Sequence, residues 1–252
     1  MCLINFAYKI DSTYDLVVAA NRDEFYQRET AKAHFWEEAP HVLAGRDLEK
    51  MGTWMGVTKS GRFAALTNYR APDEDTEGKR TRGELVSDFL KGTAPPREYL
   101  EAVHERNHSY PGFNLVVSDG ESLFYYSNRE RDIRKLEPGI YGLSNHLLDT
   151  PWPKVQKGKE GLGACLDSGS SELDPCLFQT LQRAEPASDQ DLPDTGIPLE
   201  WERSLSPLFI DTPNYGTRAS TLVYQNQYQI RFVERVYEGG AFEDRIFELE
   251  QG

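Results

Sequence analysis

Apolar positions at the start of the chain fall into two short runs. Leu3-Ile4-Asn5-Phe6-Ala7-Tyr8 opens it behind Cys2, Asp11-Ser12 turns it, and Leu16-Val17-Val18-Ala19-Ala20 follows. Two β-prone runs around a polar turn predict a hairpin. The second run ends in Asn21-Arg22-Asp23-Glu24, so pairing returns a charged cluster to the edge that carries the Cys2 thiol. Residues 25–40, mixed and aromatic, read as loop with short structure. Gly52-Thr53-Trp54-Met55-Gly56-Val57 and Arg62-Phe63-Ala64-Ala65-Leu66-Thr67-Asn68 flank Ser60-Gly61 and predict a second hairpin.

Helical signals come next. Thr81 is a candidate cap for a helix over residues 83–91 that Gly92 stops, and Pro96 starts another reaching about residue 107. Strands are predicted at 113–117, 123–126 and 141–145, then helices near 154–166 and 175–182, the latter capped by Asp174. Residues 184–198 are rich in Pro, Asp and Ser and read as a surface loop. The tail predicts strands at 218–225, 228–236 and 245–249. Strands and helices come in blocks rather than in βαβ alternation, which favours an α+β fold of antiparallel sheets with segregated helices. No composition break divides residues 1–252, so one domain is expected.

Composition narrows the function classes. A net charge of −13 disfavours nucleic acid as a partner, and no apolar run approaches the ~20 residues of a membrane span. Cys2, Cys165 and Cys176 are odd in number and lack C-x-x-C spacing. That fits a reducing compartment without a disulfide framework, and a cytoplasmic protein is expected.

Three features carry chemistry. Cys2 stands where methionine aminopeptidases expose a small second residue. Processing would give it a free α-amine able to act as base toward its own thiol, although a small apolar residue opening a strand would look the same. His104-Glu105-Arg106-Asn107-His108 fits the H-E-x-x-H pattern of zinc hydrolases. Pro111-Gly112 ends that helix within a turn and no third histidine follows, so a zinc site at His104 and His108 is the remote reading. Lys79-Arg80-Thr81-Arg82 precedes a predicted helix start. Arg80 and Arg82 there could bind an anionic group, or simply balance the acidic loop at residues 72–78.

The motifs Asn21-Arg22-Asp23-Glu24-Phe25-Tyr26, Gly52-Thr53-Trp54, Thr67-Asn68-Tyr69, Arg82-Gly83-Glu84-Leu85, Gly112-Phe113-Asn114-Leu115, Gly142-Leu143-Ser144-Asn145, Thr150-Pro151-Trp152 and Tyr215-Gly216-Thr217-Arg218 occur in order. With them the chain resembles the NRDE, or Transport and Golgi organisation 2, family. That family is similar to cysteine-type N-terminal nucleophile (Ntn) hydrolases, which implies a four-layer αββα sandwich. The resemblance implies Cys2 as nucleophile. Asn21 and Asp23 match the hydrolase G-R-N-x-D motif in register, while Ala20 holds the arginine position and Arg22 falls two places later. It further implies an oxyanion hole from Asn145 and the backbone at Asn68, and Arg218 beside the cysteine. The reaction implied is acyl transfer from an amide or thioester with no cofactor required. The same resemblance implies a second class, a carrier of haem, acyl-CoA or lipid, in which Arg80, Arg82 and Tyr69 are ligand-binding candidates and His146 a candidate haem contact.

Overall fold

In a computed structural model, which describes residues 2–169 and 173–251, the chain builds two antiparallel sheets and five α-helices. In order these are β1 (Cys2–Tyr8), β2 (Leu16–Phe25), β3 (Thr30–Trp36), β4 (Ala39–Asp47), β5 (Met55–Thr58), β6 (Phe63–Asn68), α1 (Gly83–Lys91), α2 (Pro96–Glu105), β7 (Phe113–Ser118), β8 (Leu123–Ser127), β9 (Ile133–Lys135) and β10 (Gly139–Leu143). Then come α3 (Pro153–Asp167), α4 (Leu173–Leu181), α5 (Leu199–Ser204), β11 (Tyr215–Gln225), β12 (Gln229–Glu238) and β13 (Ala241–Glu250). The first sheet runs β10-β1-β2-β11-β12-β13 and the second β3-β4-β5-β6-β7-β8-β9.

Side-chain alternation assembles the layers. Ile4, Phe6 and Tyr8 of β1 and Val18 and Ala20 of β2 face Val57, Ala65, Val116 and Tyr125 of the second sheet. The opposite residues of the first sheet, Ala7, Val17 and Ala19, pack under Leu162, Leu177 and Leu181 of α3 and α4. Leu85, Phe89 and Leu100 of α1 and α2 cover the outer face of the second sheet. The layers are therefore α-β-β-α, the sandwich expected from the family resemblance. Each fully buried Leu or Phe contributes about 1.5–3 kcal/mol, so the three interfaces hold the layers together.

Several expectations need correction. Residues 25–40 are not loop: β3 and the start of β4 lie there, and two register irregularities in their pairing break the alternation that would have marked them. Thr81 does not cap α1; Arg82 occupies the cap position without a side-chain bond. α2 stops at Glu105, and residues 107–109 form a separate 3₁₀ turn. The short β9 and α5 were not anticipated. Asp174 lies inside α4, where it accepts from Arg231 at 2.6 Å and from the Tyr224 hydroxyl at 2.7 Å.

The expectation of no disulfide is also overturned: Cys165 and Cys176 are bonded, their Cα atoms 5.9 Å apart. Spacing of 11 residues hides the pairing in one dimension, and only the packing of α3 on α4 brings the two together. The cysteines therefore no longer argue for a reducing compartment. Among the described residues no helix is long and apolar enough to cross a membrane.

Candidate active site

Where β1 begins, the two sheets separate and enclose a cavity of about 570 Å³. Pairing of β1 with β2 sets Cys2 directly opposite Arg22. Directly opposed residues share a face, and Cys2 has the parity of Ile4 and Phe6, so both side chains turn into the space between the sheets. Cys2 is the one free cysteine and is buried. Burial pushes its thiol pKa up, while the Asp23 backbone N–H and the Arg22 charge work against that rise.

Asn21 and Asp23 have the other parity and face the helix layer. Asn21 donates to the carbonyls of Leu181 at 2.9 Å and Leu208 at 2.8 Å, and accepts from the Ser220 hydroxyl at 2.6 Å. Its amide is thus committed to holding β2 under the helices, away from the cavity. The Asp23 carboxylate accepts from the Thr217 hydroxyl at 2.7 Å and sits at the end of the strand, where it still borders the cavity. Burial pushes its pKa up, and the Lys154 ammonium is the strongest charge opposing that rise.

Arg218 reaches the cavity because β11 is irregular there. Thr217 pairs with Asp23 and Ala219 with Arg22, so Arg218 is the extra residue of a bulge. Its guanidinium donates to the carbonyls of Phe25 and Arg28. Arg82, at the start of α1, donates to the Gly112 carbonyl at 3.1 Å. Neither arginine has a carboxylate within ion-pair distance among the described residues, and burial pulls both pKa values down. Arg80 differs: it is half exposed, 2.6 Å from Glu84, and lies over the Tyr110 ring.

The cavity is cationic in a protein that is not. Nine lysines and arginines against five carboxylates line it, whereas the whole chain carries 28 against 41. Many rim cations are neutralised, as Arg28 is by Asp47 at 2.7 Å and Lys32 by Glu243 at 2.9 Å. Arg22, 3.9 Å from Glu24, joins Arg82 and Arg218 as the loosely paired cations around Cys2.

Asn145 is buried next to, rather than in, the cavity lining. Its amide donates to the Asn68 carbonyl at 2.9 Å, and Ser144 ties it to Cys2 by contacting the Cys2 carbonyl and Asn145 Oδ1, both at 3.2 Å. Asn68 itself borders the cavity. Tyr69 does not: its hydroxyl meets His146 Nε2 at 2.8 Å, and His146 Nδ1 meets Thr150 at 2.8 Å. Both ring nitrogens of His146 are therefore engaged. His104 packs on the Tyr126 ring and His108 lies in the following 3₁₀ turn. Among the described residues no group of three His, Cys, Asp or Glu could hold a metal.

Sequence reasoning did not single out Lys154, Arg70 and Glu202, which form a buried charged cluster behind Asp23. The available signal was a lysine two residues beyond Thr150-Pro151-Trp152, at a predicted helix start.

A model of the Transport and Golgi organisation 2 family matches residues 1–239. The chain is 37% identical to the Transport and Golgi organization protein 2 homolog of Bos taurus, over 93% of this chain and 92% of that protein. It is 36% identical to the Homo sapiens homolog at the same coverage. Among solved structures it is similar to a variant of conjugated bile acid hydrolase from Clostridium perfringens. The TM-score is 0.54 at 10% identity, covering 98% of this chain and 96% of that one. That likeness is one of fold: the αββα sandwich of an Ntn hydrolase.

Proposed function

We infer that this chain, which belongs to the Transport and Golgi organisation 2 family, is an acyl-transferring hydrolase with Cys2 as nucleophile. Its substrate would be an amide or thioester of a small acyl or lipid-type group bearing a negative charge. The observation carrying this reading is the position of Cys2: second in the chain, first in β1, its thiol facing a cavity where Arg22, Arg82 and Arg218 gather.

Removal of Met1 would leave Cys2 with a free α-amine. The amine takes the Sγ proton, Sγ bonds to the acyl carbon, and the carbonyl oxygen becomes an oxyanion. The backbone N–H at Asn68 is assigned to that oxyanion, the kind of preorganised donor that supplies a large part of catalysis, and Asn145 holds Asn68 in place from behind through the Asn68 carbonyl. Collapse breaks the bond to the leaving amine or thiol, which receives the proton from the α-ammonium. Water then attacks the thioester, giving its proton to the amine. The C–S bond breaks, releasing the acid and returning the thiol. Asp23 orients the amine, Arg22 and Arg218 favour the thiolate, and Asn21 holds β2 in register. Arg82, with Arg80 further out, is assigned to the ligand's anionic group; Tyr69, turned to His146 outside the cavity, is not.

A carrier of acyl-CoA, lipid or haem on the same fold is the second reading, favoured by the cationic cavity, since anion binding needs no free amine. For haem the lining fits poorly: it holds no histidine, and His146 has both nitrogens engaged.

The test is acid-quench mass spectrometry with amide and thioester substrates. The chain with Met1 removed is compared with one bearing extra residues before Cys2. An acyl adduct on Cys2 of the processed form, absent from the extended form and from Cys2→Ala, is expected. A processed chain with neither adduct nor turnover would overturn the enzyme reading in favour of the carrier.

A further inference from the structure

Glu234 is a carboxylate of the cavity wall that the acyl-transfer steps leave unused. It stands in β12 opposite Thr221 of β11, which opposes Ala20 of β2. Ala20 faces the space between the sheets, so Glu234 does too. Of the other carboxylates on that wall, Glu24, Asp47 and Glu238 each have a cation within ion-pair distance, and Asp23 has Thr217. Glu234 is held by main chain instead. In β3, Ala31 pairs with Arg46 and His34 with Ala44, so Lys32 and Ala33 together oppose Gly45 as a bulge. The Ala33 N–H there crosses to the other sheet and donates to Glu234 Oε2 at 2.6 Å.

That bond leaves Oε1 over. Glu234 is only 6% exposed, yet no donor among the described residues bonds this second oxygen. Leaving such a group unmatched in a dry site is costly. Its neighbour is Gly45, also in the cavity wall: a Cβ there would come within 3.5 Å of Oε1 and 3.1 Å of the Ala31 carbonyl. Glycine therefore keeps the approach to Oε1 clear. Arg22 from β2, Lys32 from β3 and Arg245 from β13 face the carboxylate, none within ion-pair distance among the described residues. With the Ala33 N–H they oppose the rise that burial imposes on its pKa, and in such cationic surroundings the missing partner is a neutral donor. Three strand spacings across the sheet and two residues along β12 separate the Cα atoms of Cys2 and Glu234 by about 16 Å.

We propose that Glu234 is a specificity-determining residue: Oε1 accepts a hydrogen bond from an O–H or N–H that the acyl group carries far from its scissile carbonyl. The substrate class is then an extended acyl compound with a neutral donor in its distal part, rather than a plain hydrocarbon tail. This rests on the reading that the cavity presents an acyl carbonyl to Cys2.

The experiment titrates the full Cys2→Ala chain, which cannot turn the probes over, at pH 8.5 with 11-hydroxydodecanoyl-CoA and 11-oxododecanoyl-CoA. The two differ only in offering a donor or an acceptor at one distal carbon. The hydroxy probe is expected to bind more tightly by roughly ten- to hundredfold, the loss typical of a missing hydrogen bond to a charged group. Glu234→Gln on the same background must turn its carbonyl to the Ala33 N–H, which leaves an NH₂ facing the cavity. It is expected to erase or reverse the preference. Equal binding of the two probes, tighter binding of the oxo probe, binding of neither, or a preference unchanged in Glu234→Gln overturns the proposal. Should Glu234→Gln fail to fold, Gly45→Ala decides: a methyl beside Oε1 is expected to remove the preference, and its persistence overturns the assignment. If Cys2 is no acyl nucleophile, the chain with Cys2 intact turns over neither probe while the preference stands. If Glu234 plays no part, it turns over both alike.

Discussion

Alternate residues of β2 meet two different environments. Arg22 and Glu24 stand at the mouth of a wide cavity, loosely paired and reached by water. Asn21 and Asp23, beside and between them in sequence, turn toward the helices at 0% and 1% exposure, Asp23 at the strand end where it borders the cavity. On the open face an ion pair is worth about 0–1 kcal/mol and can be given up to a ligand. On the sealed face each lost hydrogen-bond partner costs about 1–3 kcal/mol. One polar stretch thus divides its labour by the two-residue period: one half offers charge to a ligand, the other fixes where that charge and the Cys2 end of β1 lie.

The strongest challenge to this division is on the open face. Cys2→Ala is expected to abolish acyl transfer, by on the order of 10⁴-fold or more, while the fold survives the loss of one sulfur. Steady-state turnover beside a thermal melt checks both halves. On the sealed face the expectation reverses. Asn21→Leu strands the Leu181 and Leu208 carbonyls and leaves the Ser220 hydroxyl only Tyr237, and should cost about 3 kcal/mol in urea unfolding. A cost below about 1 kcal/mol would mean that the face is not sealed.

The sealed face should also show in the pH dependence of stability. Burial lowers the Lys154 pKa to about 8 in the folded chain, against about 10.4 for an unfolded lysine. Between those values the unfolded chain binds the extra proton, so this group makes stability rise as pH climbs from about 8 to about 10.4. The rise is at most about 3 kcal/mol, and Lys154→Met should flatten it. Asp23 acts in the opposite sense: its raised value makes stability fall as pH increases through it. The smallest effects belong to the rim. Arg82→Ala should weaken an anionic acyl-CoA ligand by roughly ten- to hundredfold. Arg80→Ala, already paired with Glu84 and half exposed, should weaken it by no more than about fivefold. Titration of both variants with one ligand ranks them, and equal losses would erase the difference between deep and rim cations.

The period-2 hairpins around Asp11-Ser12 and Ser60-Gly61 and the helix stopped by Gly92 were legible because local chemistry and tertiary need agree there. β3 was not, since its bulges and its mixture of Lys32, His34 and Phe35 erase the alternation. α5 was hidden because six residues, half of them charged, behind Pro198 look like more loop. Cys2 could be read from its position alone. The contrast between Asn21 and Arg22 needed the pairing register, and Arg218 needed a bulge that no single-strand pattern announces. Lys154 looked like an ordinary lysine at a helix start, because its burial depends on α5 and β2, which lie far away in sequence.

One contact sets the wall of the cavity by backbone alone. A Cβ on Gly52 would lie 2.6 Å from the carbonyl carbon of Gly83, and the Thr53 N–H bonds the Gly83 carbonyl at 3.2 Å. Side chains give way by changing rotamer; two main chains in contact have nothing to rotate. The first residue of α1 therefore meets a hard stop, and Arg82, one position earlier, is mounted on it as on a bracket. An alanine at position 52 would act as a shim, lifting the helix by its thickness. It would carry the guanidinium off its seat on the Gly112 carbonyl without touching any atom that meets a ligand.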